Sequence, residues 1–222
     1  MTIHQPKYGK TMTRYLLGTL TLLFCFNAQA AYPLVEMKTS QGTILLELYP
    51  DKAPKTVANF LTYVKSGFYK GTIFHRVVNR FVIQGGGYTP DFEPKATLPA
   101  IPNEASFALK NDAGTLAMAR TSDPDSATSQ FFINVERNLF LNHYKHEADY
   151  YGYAVFGKVV QGMDIVQKIS DVPTMTAGPF ASDVPVQSIV IEDISVVPQK
   201  AADQPAKNKP AGKHSKKRKE NG

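Results

Sequence analysis

Thr72-Ile73-Phe74-His75-Arg76-Val77-Val78, then Asn79-Arg80, then Phe81-Val82-Ile83-Gln84 running into Gly85-Gly86-Gly87, reads as a strand, a tight turn and a second strand closed by glycines. Side chains on a strand alternate between its faces, so regular pairing through 72–78 puts Phe74, Arg76 and Val78 on one side and His75 and Val77 on the other. In the return strand Val82 and Gln84 share a face. One cation and one amide are thereby set among apolar side chains, which suits an uncharged peptide as ligand.

The same rhythm of short apolar runs continues on both sides. Val35-Glu36-Met37-Lys38 and Thr43 to Leu48 flank Ser40-Gln41-Gly42, a hairpin with a glycine turn. Pro54 opens a helical pattern in which Val57, Phe60, Leu61 and Val64 recur at spacings of 3, 4 and 7, and Gly67 closes it. Strands are expected at 115–119, 130–135, 153–160 and 186–197, a second short helix from Gly162 to Ile169, and long loops at 88–114 and 136–152. Within 130–135, Gln130, Phe132 and Asn134 share one face, leaving Phe131 and Ile133 for the core. Seven or eight short strands with two helices make a mainly β fold. A barrel is favoured because closure removes unpaired edges, although periodicity alone leaves a sandwich almost equally open.

Length and charge narrow the function classes. A chain of 222 residues with 43% hydrophobic side chains supports one domain with a proper core. The formal charge of +6 is unevenly spread: residues 1–30 hold three basic and no acidic side chains, and 199–222 hold eight basic and two acidic. Residues 31–198 are left with fourteen basic against seventeen acidic groups, which argues against nucleic acid as the main ligand. Lys7, Lys10 and Arg14, the apolar run from Tyr15 to Phe26, and Ala28 and Ala30 in an A-x-A arrangement read as an export signal cleaved near Ala30, with Met12 an alternative start. That apolar run is too short for a ~30 Å hydrocarbon layer. Cys25 is the only cysteine and lies in this segment, so the mature chain has no thiol, in keeping with an oxidising compartment such as a periplasm. After Pro198 the composition shifts to Lys, Ala, Pro, Asn and Gln, which reads as a disordered basic tail suited at most to weak contact with an anionic surface.

Three stretches, Phe74 to Val78 with Phe81 to Gly87, Met118-Ala119-Arg120, and Ser129 to Asn134, together resemble the cyclophilin family of peptidyl-prolyl cis/trans isomerases. The likeness spans about residues 33–197 and is nearest to the bacterial periplasmic members. It implies a closed eight-stranded antiparallel β-barrel capped by two α-helices, with no cofactor and no metal. It also implies rotation about X–Pro bonds of unfolded or flexible exported proteins, with Arg76 as the principal catalytic residue assisted by Phe81 and Gln84. Val82, Phe132 and Leu141 match the proline pocket, Ala119 and Arg120 border the substrate backbone, and Phe140 and Tyr153 stand where relatives carry tryptophan and histidine. Val82 replaces the usual methionine and makes a smaller, stiffer wall, while Phe140 has no indole N–H, so weak cyclosporin binding is expected.

Other readings compete with these assignments. Arg76 is also suited to a structural ion pair, Gln84 to backbone groups near the glycine turn, and His75 to a structural role. His143 and His146, near Glu147 and Asp149, lie in a polar loop with no regular spacing to define a metal site. A chaperone or adaptor that binds proline-containing chains without catalysis is the main rival to the enzyme, and a monomer is the expected state.

Overall fold

The structure is a computed structural model that describes residues 32–198. The expected signal segment and basic tail lie outside the described residues. Strands β1 (Leu34–Thr39) and β2 (Gly42–Leu48) form the anticipated hairpin, with Val35, Met37, Ile44, Leu46 and Leu48 turned inward and fully buried. Helix α1 (Pro54–Lys65) begins on proline and lays Val57, Phe60, Tyr63 and Val64 into the same core. Its N-cap, Ala53, has no capping side chain. Glu104 supplies one from the loop, accepting from the Lys55 amide at 3.1 Å and from the Thr56 amide and hydroxyl at 2.7 Å.

The central strands are β3 (Arg76–Val78), β4 (Val82–Gly85), β5 (Thr115–Met118), β6 (Phe131–Asn134) and β7 (Val155–Gln161), followed by helix α2 (Met163–Ser170). With the last strand, Ile191–Val196, they make one antiparallel sheet in the order last strand, β1, β2, β7, β5, β6, β4, β3. The curl of this sheet brings its ends together without a full ladder. Closure rests on one bridge, Ile73 to Val190, with Phe74 N donating to Ile189 O (2.9 Å) and Ile191 N to Thr72 O (2.7 Å). The eight-stranded barrel is therefore only approximately closed. Its interior is filled by the α1 face, by Val166 and Ile169 of α2, and by an aromatic stack in which Phe60 meets Tyr69, Phe131 and Phe156 at 5.2–5.7 Å between centroids.

Two features depart from the expected pattern. A hairpin of β8 (Thr174–Ala177) and β9 (Phe180–Pro185) forms a two-stranded sheet of its own packed against β3, in a region where the sequence pattern predicts no strand; the last strand is β10. The stretch 72–75 also lacks regular strand geometry, so the face alternation expected from Phe74 to Val78 breaks. Phe74 and Val77 both enter the core, Phe74 lying edge-on to Phe131, and Phe74 does not share a face with Arg76.

Candidate active site

A second apolar cluster lies on the other face of β4, β5 and β6, comprising Val82, Ala117, Phe132, Leu141 and Val155 with Phe81, Ala119 and Tyr153 packed against it. The register explains the gathering. Gln84 pairs with Arg76 on β3 and with Phe132 on β6, and Phe132 pairs in turn with Ala117 on β5. Alternation then sends Ile83, Phe131 and Ile133 into the barrel and Val82, Gln84 and Phe132 out toward the cluster.

A cavity of about 320 Å3 opens over this cluster. Val82, Phe132 and Leu141 line it together with Phe81 and Tyr153, whose ring meets Phe132 edge-on at 5.5 Å. Arg76, Gln84, Ala119 and Arg120 supply the rest of the lining. Nine of the ten site residues expected from the sequence thus border one hollow. Phe140 is the exception: it is 70% exposed, stacks on the outer side of Phe81 at 5.4 Å and lines a neighbouring depression.

Both guanidinium groups are held by their surroundings. Arg76 Cζ lies 5.9 Å from the centre of the Phe81 ring, and Nη1 points to Gln84 Oε1 at 3.4 Å. The Gln84 amide in turn donates to Gln130 Oε1 at 3.1 Å. Asp183, on the unanticipated hairpin, faces Arg76 Nε at 3.7 Å, with both side chains more than a third exposed. Such a pair is screened by water, and Arg76 remains part of the cavity lining. Arg120 is fixed more firmly, donating from Nε to Gly152 O (3.1 Å) and from Nη1 to Thr121 O (2.8 Å), with its Cζ 4.6 Å above the Tyr153 ring. Two cations therefore flank an apolar floor, an arrangement that suits a neutral, carbonyl-bearing ligand.

Beneath the floor runs a chain of buried amides, of which the strand alternation predicts only Asn134 on this face. Asn134 Nδ2 donates to Asn111 Oδ1 (3.1 Å) and Thr115 Oγ1 (2.9 Å). Asn138 Nδ2 donates to Asn134 Oδ1 (2.8 Å) and to the Phe81 carbonyl (3.1 Å). Asn111 Nδ2 reaches the Leu141 carbonyl at 2.9 Å. Two pocket walls, Phe81 and Leu141, are thus tied through their backbones to one network; its signal in the sequence was asparagine recurring beside apolar runs. The glycine run serves close approach: Gly86 has φ 82°, and a Cβ there would lie 2.8 Å from Phe131 and 2.9 Å from Tyr69.

Comparison with known proteins decides what this cleft belongs to. Residues 34–196 match the family described as cyclophilin type peptidyl-prolyl cis-trans isomerase/CLD. The chain is a cyclophilin. Among its relatives, peptidyl-prolyl cis-trans isomerase cyp18 of Streptomyces antibioticus is 56% identical over 163 residues, covering 73% of this chain and 98% of the relative. Peptidyl-prolyl cis-trans isomerase B of Escherichia coli K12 is 52% identical over 163 residues, covering 73% and 99%. The crystal structure of a Cryptosporidium parvum cyclophilin-type isomerase, determined in the presence of the dipeptide Ala-Pro, superposes with a TM-score of 0.63 at 30% identity, covering 74% of this chain and 99% of that one. This cyclophilin is accordingly a peptidyl-prolyl cis/trans isomerase, and the non-catalytic binding module is set aside.

Proposed function

We propose that Arg76 is the electrostatic catalyst of X–Pro isomerisation and that Phe81, Val82, Phe132, Leu141 and Tyr153 hold the proline ring. The barrier to be lowered, ~18–20 kcal/mol, comes from delocalisation of the amide nitrogen lone pair into the carbonyl. Twisting the bond localises that pair on a pyramidal nitrogen. A guanidinium directed at it binds the twisted state better than the planar one, and only such differential binding accelerates the step. No bond is broken, so no nucleophile is required.

The observation that carries this reading is the meeting of Arg76 with Phe81, Val82, Phe132, Leu141 and Tyr153 around a single cavity. Gln84 positions the Arg76 fork from below, while Ala119 and Arg120 border the peptide backbone and Phe140 extends the rim. The Cryptosporidium parvum structure was determined with Ala-Pro present, and an X–Pro unit is the ligand assigned to the cavity here. Arg76→Ala is expected to lower kcat/KM by about 10²–10³, the usual effect of deleting one key transition-state donor, with an unchanged circular dichroism spectrum. A folded variant with the full rate of peptide isomerisation overturns the assignment.

The reading extends to exported, periplasmic clients. Support comes from the basic, apolar and A-x-A segments up to Ala30. The protein purified from a periplasmic extract is expected to begin near Ala31, and a cytoplasmic protein beginning at Met1 or Met12 contradicts it.

A further inference from the structure

Four of the ten large hydrophobic side chains exposed among the described residues, Leu139, Phe140, Tyr144 and Tyr150, crowd into one twelve-residue stretch beside the cleft. An exposed apolar patch of this kind commonly marks a binding surface. Phe140, Tyr144 and Tyr150 line a depression of about 550 Å3, edged by Asn142, Lys145 and Asp149.

The loop that carries it is pinned. Tyr144 N donates to Tyr150 O at 3.0 Å, Tyr150 N to Glu147 O at 2.9 Å, and the Tyr144 hydroxyl to Leu139 O at 2.9 Å. Lys145 lies 4.2 Å above the Tyr150 ring and pairs with Glu147 at 2.7 Å. At the base, buried His143 meets the Tyr151 carbonyl through Nδ1 at 2.8 Å. Gly152 backs so closely onto the chain that a Cβ would lie 2.5 Å from the Asn142 carbonyl carbon. The rings are therefore held in place before any ligand arrives, which lowers the ordering cost of binding.

The depression adjoins the proline cavity across one pair of stacked rings. Phe81 lines the cavity and stacks on Phe140, which lines the depression; of the next two residues, Leu141 faces the former and Asn142 the latter. An extended chain rises about 3.3 Å per residue, so a peptide leaving the cavity crosses the Phe140 ring in about two to four residues.

We propose that this loop is a second substrate site, taking an aromatic or long aliphatic side chain of the same polypeptide whose proline occupies the cleft. The proposal rests on the reading of the cleft as the X–Pro site. The occupant is taken as the substrate chain because Phe140, which lines the depression, stacks on the cavity wall Phe81, and its side chain as apolar because three of the six residues lining the depression are aromatic.

The test compares isomerisation by the full chain, followed by NMR exchange, on two sets of X–Pro peptides. One set is flanked by glycine and serine only, and the other carries a single Phe or Leu two to four residues from the proline on either side. At one or more of these positions the apolar residue is expected to raise kcat/KM about five- to tenfold, chiefly through a lower KM. Tyr144→Ser combined with Tyr150→Ser should abolish that advantage while leaving the glycine/serine peptides unaffected, and Tyr150→Leu should retain it. Equal rates for both sets on the unaltered protein, or an advantage that survives the double substitution, overturns the proposal. Failure to turn over any X–Pro peptide defeats instead the underlying reading of the cleft, and the unaltered protein decides the first comparison even if a variant does not fold.

Discussion

One peptide unit separates His75 from Arg76, yet the two side chains occupy opposite environments. Arg76 reaches the cleft, while His75 is 2% exposed, packed 4.8 Å from Tyr88 and 5.1 Å from Phe180, with no partner for Nδ1 among the described residues. Burial, reinforced by the adjacent Arg76 charge, lowers its pKa to about 4. The unfolded chain, with an ordinary value near 6.5, takes up this proton first as pH falls. Stability from keeping the ring neutral is therefore complete above about pH 6.5 and declines toward pH 4, by up to about 3 kcal/mol. Urea midpoints measured between pH 7.5 and 4 are expected to fall in acid, and His75→Leu should flatten that slope with isomerase activity retained at pH 7.5. Identical acid slopes for both proteins would move the effect to other groups.

At the scale of elements, β6 carries the most. All four of its residues are buried, because Phe131 and Ile133 face the barrel and Phe132 and Asn134 face the site cluster and its amide network. A strand covered on both sides shows no polar alternation, so it was legible as a run of aromatic and β-branched residues, and the face of each residue followed from counting by two. Arg76, Val82, Gln84 and Phe132 were placed by that parity together with the family likeness. Phe74 was misplaced because parity holds only while the backbone stays a regular strand, and the chain is irregular before Arg76. The β8–β9 hairpin escaped notice for a different reason. Thr174, Met175 and Thr176 are exposed, so no buried face imposes a pattern on β8, and the Asp183 that meets Arg76 was unreadable with it. Asn134 shows how closely an element and the site are coupled. Asn134→Ala leaves Asn111, Asn138 and Thr115 short of partners within a buried network, a loss expected to cost about 2–3 kcal/mol. KM should also rise, since the Phe81 and Leu141 carbonyls hang from that network. Chemical denaturation together with steady-state kinetics checks both effects, and an unchanged midpoint would remove the asparagines from the account of the pocket.

Over the whole molecule, charge and catalysis are divided between separate parts of the chain. The barrel residues 31–198 hold an excess of three acidic groups, whereas residues 199–222 hold an excess of six basic ones. The cleft is built by strand register within residues 32–198, so a chain ending at Pro198 is expected to keep it whole. Basic clusters gain roughly 1 kcal/mol per Lys or Arg near an anionic membrane surface, an attraction that falls away over a Debye length of about 10 Å at 0.1 M salt. A net acidic barrel contributes nothing to that attraction. The full chain is therefore expected to co-sediment with phosphatidylglycerol vesicles at low salt and to be released near 0.5 M NaCl. A chain ending at Pro198 should stay in the supernatant at either salt while isomerising a short X–Pro peptide at the same rate as the full chain. Equal sedimentation of the two would locate the lipid contact on the barrel, and a slower truncated enzyme would mean that the tail takes part in the cleft's chemistry.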